Sequence, residues 1–442
     1  MARAESVTTR PAIWPAPHAV PLGVRPFGIH NTNLGAAGER YAVAWTFSAP
    51  FALRGLEIVL PGWRLNPLES GGPEFPLPAP ISVKMAVRVT DGPNSVNLPV
   101  LFGAQGRVGT LQPGGVLTGV ANVPLRQGQQ ATLVAYLDPG ASGRVPISVV
   151  TSAADTGVKH ARGTSLSFDP DTWNGTATLA SVAESTVAVM VFGLPDRRAE
   201  LRPSVALLGD SITYGIGDAP TGWGYAVRAL QGAGVPWVSC AVGGDFLGYS
   251  PWGGVGYRFH ALRWVRWVLE AWGTNNITLL ASFGLTDASN IKGAKVLLWR
   301  DLAKAGLGVA TCTNTPVRNS GDSAADARAT SIRQDLVTWQ RDGAPWNVAT
   351  GQPVAVGTTG ANISRCLVLA PDLSVLKAAS GPQHPVAVMF DTGRAVDING
   401  GNQWASGMAV DDVHPSSAGA QAMAQAVATA VFRQEPPVYL GP

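Results

Sequence analysis

The segment VALLGDSIT, residues 205–213, joins an apolar stretch of strand length to a Gly-Asp-Ser turn, and a helix-forming stretch follows it. A short apolar run that ends in a turn is typical of a strand buried on both faces of a parallel sheet. Ser211 is then expected at the carboxyl end of a parallel strand, the edge where open α/β sheets bind ligands. We expect its hydroxyl to be exposed there and its own backbone N–H to face a developing oxyanion.

The residues after 203 continue in the same pattern. Strands are predicted near 205–208, 237–242, 277–283, 309–313 and 386–390, and helices near 224–230, 258–272, 294–304 and 416–432. Apolar strands that alternate with amphipathic helices predict a parallel sheet covered on both faces. We therefore predict an α/β domain over residues 204–442, with three layers in the order α/β/α.

Residues 1–195 follow a different pattern, in which short alternating segments are divided by clusters of Gly and Pro. This pattern is typical of all-β sandwiches. The candidate strands are 41–47, 55–60, 81–89, 131–137, 147–151 and 186–192. We predict a jelly-roll-like β-sandwich as an accessory domain over 1–195, and the polar stretch 196–203 as the linker.

Composition excludes some classes of function. Charged residues are 14% of the chain and the net charge of +3 includes no run of Lys or Arg, so nucleic acid is not an expected partner. The three cysteines match no metal or redox spacing and are expected to be buried small hydrophobic residues. Five histidines show no metal-ligand spacing and are expected to be structural or exposed: His18, His30, His160, His260 and His384.

The first residues lack the apolar core of a secretory signal, and no apolar run approaches the roughly 18 residues of a membrane span. We expect a soluble chain with no visible export signal and leave its location open. An extracellular or virion-associated protein would need another route of delivery.

A second polar motif lies near the end of the chain, at Asp411-Asp412-Val413-His414-Pro415, just before a predicted helix. Pro415 suits the first position of that helix, which would hold His414 on a fixed turn. Asp411 can then hold the imidazole in one tautomer while the other ring nitrogen takes a proton from a serine. Asp412 is the alternative orienter, but two residues of separation usually point its carboxylate away from the ring.

Together the two motifs resemble the SGNH (GDSL) hydrolase family, over roughly residues 203–432. Four short blocks carry the resemblance: Gly209-Asp210-Ser211; Gly244, with Gly243 as the alternative; Gly284-Leu285-Thr286-Asp287, where the family has Gly-x-Asn-Asp; and Asp411 to Pro415. The resemblance implies a serine esterase without metal or cofactor. It makes Ser211 the nucleophile, His414 the base, Asp411 its orienter, and Ser211, Gly244 and Thr286 the oxyanion donors.

An N-terminal sandwich ahead of such a hydrolase resembles carbohydrate esterases that remove acetyl groups from polysaccharides. The resemblance therefore implies an O-acetylated glycan as substrate. Three further residues are expected to line or brace the substrate site: Asp210 beside the nucleophile, and Trp252 and Trp404 on loops.

Thr286 departs from the family, which uses an Asn amide there as an oxyanion donor. Loss of one such donor typically costs about 2.7–4 kcal/mol of transition-state stabilisation. The alternative function is therefore a catalytically weakened structural or glycan-binding protein, such as a virion or cell-surface component, that retains the hydrolase fold.

The chain holds a second Gly-Asp-Ser, at Gly321-Asp322-Ser323. It precedes an Ala-rich stretch, so we interpret it as a helix cap and expect Ser323 to lie far from Ser211 and His414.

Overall fold

The computed structural model describes residues 19–22, 33–65, 74–91, 94–149, 158–176, 178–181, 184–185, 189–197, 202–218, 224–245, 247, 262, 264–272, 274–317, 323–398 and 400–441. Trp252, Gly321, Asp322 and the histidines His18, His30 and His260 lie outside these residues.

The described elements of the first 195 residues are strands, apart from one 3-10 turn at Gly103–Gln105. In chain order they are β1 (Val20–Pro21), β2 (Asn33–Leu34), β3 (Arg40–Ser48), β4 (Leu53–Pro61), β5 (Trp63–Leu65), β6 (Glu74–Pro76), β7 (Ile81–Asp91), β8 (Asn94–Pro99), β9 (Val108–Leu111), β10 (Val116–Ala121), β11 (Gln130–Asp138), β12 (Pro146–Val149), β13 (Val158–Gly163), β14 (Phe168–Asp169), β15 (Asn174–Gly175), β16 (Ala180–Ser181), β17 (Glu184–Ser185) and β18 (Met190–Pro195).

Two antiparallel sheets contain the longer of these strands. One has the order β1-β18-β4-β10, and the other has the order β16-β13-β3-β11-β7-β8, with β9 also paired to β7. Alternate side chains from both sheets meet in one core, for example Val43 and Trp45 on β3, Ile58 on β4, and Val83 and Leu133 on the neighbouring strands. Strict alternation along β7 buries one face in this core, as its sequence predicts.

The second part of the chain contains both strands and helices. In chain order they are β19 (Val205–Leu208), α1 (Ser211–Tyr214), α2 (Gly224–Gly232), β20 (Trp237–Ser239), β21 (Trp267–Glu270), α3 (Thr274–Ser282), α4 (Ser289–Lys304), β22 (Gly308–Cys312), α5 (Ser323–Arg341), β23 (Trp346–Asn347), β24 (Gln352–Pro353), β25 (Ile363–Ser364), β26 (Leu367–Leu369), β27 (Val375–Lys377), β28 (Val386–Phe390) and α6 (Ser417–Gln425). The predicted mixed α/β class is confirmed.

The central sheet has the order β20-β19-β21-β22-β28-β26-β27. Strands β20 to β26 in that order run parallel, and β27 pairs antiparallel at one edge. Residues of one parity, such as Ala206 and Val268, share a core with α3, α4 and α5. Residues of the other parity, such as Val205 and Leu269, share a core with α2 and α6. Both faces of the sheet are therefore covered by helices.

The two parts of the chain also share a core. Val59, Trp63, Met190 and Phe192 from the first sheet belong to the same apolar cluster as α3, α4 and α5. Trp63 is fully buried there. The N-terminal part therefore packs directly on the α/β part instead of being joined to it only through residues 196–203.

Residues 258–283 differ most from prediction. The predicted strand 277–283 lies within helix α3 and the turn after it, and the predicted helix 258–272 contains strand β21. Trp267 is buried in that strand and not on a helix. The final predicted helix is also shorter, because α6 ends at Gln425 and a 3-10 turn, Thr429–Arg433, follows it.

His384 makes the stability of the fold depend on pH. Its Nε2 lies 3.1 Å from the Ala344 carbonyl and its Nδ1 accepts the Val386 N–H at 3.0 Å, which needs a neutral ring with the proton on Nε2. Burial lowers the pKa of His384 to about 4.

We expect stability to be present in full above pH 6.5 and to fall as the pH drops toward 4, because the unfolded chain then binds a proton that the folded chain excludes. Since the ring keeps part of its surface exposed, the loss should be about 1–2 kcal/mol. Urea unfolding of wild type and His384→Gln at pH 7 and pH 4.5 tests this. An equal pH dependence in the two proteins would remove His384 as the cause.

Candidate active site

Ser211 begins α1, three residues after the apolar strand β19 ends. Asp210 is the N-cap of this short helix, and its Oδ1 accepts the Ile212 N–H at 3.1 Å. Gly209 is needed at the turn, because a Cβ there would collide with the side chain of Thr213. Asp210 is thus buried and braces the turn that carries Ser211, and its predicted contact with a substrate stays a prediction.

The expectation that the Ser211 hydroxyl is exposed is wrong, because Ser211 retains only 4% of its accessible surface. Its Oγ lies 2.9 Å from His414 Nε2. The imidazole therefore covers the hydroxyl that the strand end presents.

His414 is fixed by the turn that precedes α6. Asp411 Oδ1 accepts the backbone N–H groups of Val413 at 2.7 Å and His414 at 2.6 Å. The Val410 N–H donates to the His414 carbonyl at 3.0 Å and closes the turn. Ser416, and not Pro415, begins the helix as its N-cap, with its Oγ accepting the Gly419 N–H at 3.2 Å. The predicted role of Pro415 at the first helical position is therefore wrong.

The second oxygen of Asp411 lies 2.8 Å from His414 Nδ1. Partial burial alone would raise the pKa of Asp411, but hydrogen bonds from the His414 ring and from two backbone N–H groups outweigh it and hold the pKa below its usual value. An ionised carboxylate only accepts hydrogen bonds, so Nδ1 carries the imidazole proton. His414 Nε2 is then left as the acceptor of the Ser211 hydroxyl proton.

Gly217 supports the histidine turn from the other side. It has a φ of +88°, and a Cβ there would lie 2.7 Å from the Pro415 carbonyl oxygen and 2.9 Å from His414 Cβ. The loop after α1 can approach the histidine this closely only with glycine.

We expect Gly217→Ala to displace His414 and to lower kcat for the ester hydrolysis that the sequence resemblance implies by about 100-fold, a cost that a misplacement of about 1 Å can have. Gly293→Ala is the matched control, because a Cβ at Gly293 meets no atom within 4 Å in helix α4. The test is a steady-state measurement of kcat for both variants, and Gly293→Ala should keep the wild-type value. If Gly217→Ala keeps wild-type kcat, the loop is not what positions His414.

Two backbone segments flank Ser211. The Cys240 N–H donates to the Leu207 carbonyl at 2.8 Å and the Val242 N–H to the Gly209 carbonyl at 3.0 Å, which holds residues 240–245 beside the Gly-Asp-Ser turn. Gly244 lies in this segment with a φ of +78°. On the other side the Ala271 N–H donates to the Leu208 carbonyl at 2.9 Å. Backbone that follows both neighbouring strands thus adjoins the Gly-Asp-Ser turn.

Thr286 does not follow a strand, because most of the strand predicted before it, 277–283, lies in helix α3. It lies on an exposed turn between α3 and α4, where its carbonyl accepts a hydrogen bond from Ser331 Oγ at 3.0 Å. Asp287 accepts the Ser289 N–H at 2.8 Å at the start of α4.

A Gly-x-Asn pattern that the sequence-based prediction did not use, Gly273-Thr274-Asn275-Asn276, lies just after β21. Helix α3 begins at Thr274, four residues after β21 ends at Glu270. The Asn275 backbone is therefore in the first turn after the strand that pairs with β19. The pattern lies between the predicted helix 258–272 and the predicted strand 277–283, and therefore follows no predicted strand end.

Trp404 lies against the turn that carries His414, and Ser323 lies at the start of a helix. Trp404 donates its indole N–H to the Asp412 carbonyl at 3.1 Å and packs partly on the α2 and α6 core, so it braces the histidine turn. Ser323 is the first residue of the long helix α5, consistent with the predicted helix start. Asp412 contributes its backbone to this contact, and Asp411 alone meets the ring.

Within the described ranges, no group of three or more His, Cys, Asp or Glu side chains is arranged to hold a metal ion. The cysteines Cys240, Cys312 and Cys366 are buried and unpaired with one another, as expected from their spacing. Over the same ranges, no helix has the length and hydropathy to cross a membrane.

Comparison with protein-family models finds no match, and comparison with curated proteins finds none either. Among solved structures, the chain is similar to a family two carbohydrate esterase from Clostridium thermocellum in complex with cellohexaose, with 13% identity over 90% of this chain and 95% of that one and a TM-score of 0.29.

A carbohydrate esterase family 2 enzyme from Corynascus thermopiles (Myceliophthora fergusii) is 16% identical over 91% of this chain and 97% of that one, with a TM-score of 0.32. A putative acylhydrolase from Bacteroides fragilis is 15% identical over 52% of this chain and 90% of that one, with a TM-score of 0.32. These values are low, and the function proposed for the chain therefore depends on the geometry of Ser211, His414 and Asp411.

Proposed function

We propose that the chain is a serine esterase of the SGNH type that hydrolyses carboxylic esters. One observation carries the proposal: a hydrogen-bonded chain runs from Ser211 Oγ to His414 Nε2 over 2.9 Å and from His414 Nδ1 to Asp411 Oδ2 over 2.8 Å. A nucleophile, a base and an orienter within hydrogen-bond reach of one another are the parts that acyl transfer through a serine needs.

The reaction begins when Ser211 Oγ attacks the ester carbonyl carbon while His414 Nε2 takes the hydroxyl proton. The carbonyl oxygen becomes an oxyanion, and Asp411 stabilises the imidazolium. Collapse of the tetrahedral intermediate breaks the bond to the alcohol, which leaves with the proton from Nε2. Water then attacks the acyl-serine, with His414 again as base, and releases the acid and free Ser211.

The oxyanion is proposed to lie against the backbone N–H groups of Ser211 and Gly244. The Ser211 N–H is in the first turn of α1, where helical N–H groups have no partner within the helix. Asn275 replaces Thr286 as the proposed third donor, because its backbone follows β21 beside the nucleophile's turn.

We expect Asn275→Ala to lower kcat by about 10²- to 10³-fold, the usual cost of one oxyanion donor. Thr286→Ala is the matched control and should leave kcat unchanged, because Thr286 lies on an exposed turn beyond α3. Both are measured with p-nitrophenyl acetate. The reverse order of effects would return the role to Thr286.

The substrate is proposed to be an O-acetyl group on a polysaccharide, on the strength of the sequence resemblance. The test is acetate release from acetylated xylan and from acetylated cellulose oligomers, beside hydrolysis of p-nitrophenyl acetate, butyrate and octanoate. We expect acetyl esters to be preferred and acetate to be released from at least one glycan. Hydrolysis of no ester at all would overturn the esterase function.

The alternative function, a catalytically weakened structural or glycan-binding protein, depends on Thr286 being a poor oxyanion donor. Asn275 lies in the first turn of α3, just after β21, whereas Thr286 lies beyond α3. No observation therefore favours that alternative.

A further inference from the structure

A buried carboxylate lies on β21, the strand that pairs with β19, and does not take part in the proposed reaction. Glu270, the last residue of β21, is fully buried. Its Oε1 accepts hydrogen bonds from Lys295 Nζ at 2.6 Å and from the Trp272 N–H at 2.8 Å. Its Oε2 accepts from Trp299 Nε1 at 2.9 Å and from Thr311 Oγ1 at 2.8 Å. Each oxygen thus has two donors despite its burial.

Lys295 on α4 is equally buried and makes a second contact, to the Trp272 carbonyl at 2.8 Å. The ion pair therefore holds both backbone polar groups of Trp272. The Trp272 indole N–H in turn donates to Asp245 Oδ2 at 2.7 Å. Trp272 is thus fixed at its N–H, its carbonyl and its ring.

These contacts connect the two segments that flank Ser211. Trp272 lies two residues before α3 begins, in the segment that leads to Asn275. Asp245 directly follows Gly244 in the other segment. The hydrogen bond between the Trp272 and Asp245 side chains therefore links the segment on one side of Ser211 to the segment on the other side.

Global stability is a weak reason for a buried ion pair, since replacing one by well-packed apolar residues is often neutral or stabilising. A fully satisfied buried network does fix the geometry of the groups it holds. Oxyanion donors need such support, because their contribution depends on being aimed in advance at the position of the charge.

We propose that the Glu270–Lys295 ion pair, acting through Trp272 and Asp245, positions the two oxyanion segments against Ser211. The four are positioning residues and none touches the reacting atoms. The inference rests on the proposed function, because it assigns these residues to the transition state of that same site.

The test uses the full chain and three changes. Glu270→Gln/Lys295→Met removes both charges with side chains of similar shape and leaves no unpaired buried charge. Asp245→Ala removes the acceptor of the Trp272 indole, whereas Asp245→Asn keeps an oxygen for it. Asp342→Asn is the control. Arg365, the ion-pair partner of Asp342, precedes β26 at the amino edge of the sheet, which is the edge opposite Ser211. Both side chains of this pair are 9% exposed.

We expect the double variant and Asp245→Ala to lower kcat for p-nitrophenyl acetate at least about tenfold with KM within about twofold, because positioned donors act on the transition state. Asp245→Asn should recover most of the kcat, and Asp342→Asn should keep it. Hydrogen exchange should become faster in peptides covering 240–245 and 271–276 in the first two variants only.

Wild-type kcat and unchanged exchange in Asp245→Ala and the double variant would overturn the positioning role. So would a KM effect of the same size as the kcat effect. If the double variant fails to fold, Asp245→Ala against Asp245→Asn gives the decision. A wild-type protein with no Ser211-dependent turnover would instead overturn the proposed function, and the exchange experiment would still show whether the ion pair orders the two segments.

Discussion

Ser211→Ala is expected to lower ester hydrolysis on the order of 10⁴-fold or more, because the acyl group then has no oxygen to be transferred to. His414 and Asp411 would keep their own hydrogen bond, so the turn before α6 should remain in place. The variant loses one hydrogen bond, worth about 1 kcal/mol, and its melting temperature should change by only a few degrees.

Ser323→Ala is the matched control for this change. It alters the serine of the second Gly-Asp-Ser, which begins helix α5. We expect its kcat to stay within about twofold of wild type, since a helix-start serine has no part in the transfer. Equal turnover by Ser211→Ala and wild type would remove Ser211 from the mechanism.

Asp411→Asn is expected to have the second largest effect, a fall in kcat of up to about 10⁴-fold. The amide oxygen of Asn can still accept the N–H groups of Val413 and His414, so the turn is kept. The amide nitrogen then faces His414 Nδ1 and donates to it. The imidazole proton moves to Nε2, which can no longer accept the proton of Ser211.

Asp412→Asn is the control for the orienter. Asp412 meets the site through its carbonyl, which accepts the Trp404 indole N–H at 3.1 Å, and this carbonyl survives the substitution. Its kcat should remain within about twofold of wild type. A larger loss in Asp412→Asn than in Asp411→Asn would exchange the two assignments.

Local patterns in the sequence predicted the strand that precedes Ser211 and the contact between Asp411 and His414. The strand 205–208 has its predicted bounds because an apolar run of four residues between turn residues has the length of a strand and is too short for a helix. The strand 386–390 also has its predicted bounds. The Asp411-His414 contact spans three residues, so spacing alone could indicate it.

Residues 258–283 could not be predicted in the same way. A short strand buried on both faces has no period of two, and Leu262, Val265, Val268 and Leu269 are spaced as on a helix. The apolar run of α3 equally resembles a strand. The strand was predicted at 277–283, whereas it lies at 267–270. The predicted strand end was therefore near Thr286, and the observed strand end is near Gly273 and Asn275.

Contacts between distant residues were outside the reach of sequence patterns. Glu270 and Lys295 are 25 residues apart, and Trp272 and Asp245 are 27 apart. Neither pair has a local signature, and burial of the Lys and Glu side chains runs against the usual exposure of those residue types. Such a network becomes visible only when the strands and helices have been placed.

The most direct test of the account is covalent labelling by a fluorophosphonate, followed by mass spectrometry of the peptides. Attack of Ser211 Oγ on phosphorus should expel fluoride and leave one adduct, on the peptide that contains Ser211. Labelling should be absent in Ser211→Ala and slower by at least about 100-fold in His414→Ala, which lacks the base. No adduct, an adduct on Ser323, or equal labelling rates in wild type and His414→Ala would contradict a serine nucleophile activated by His414.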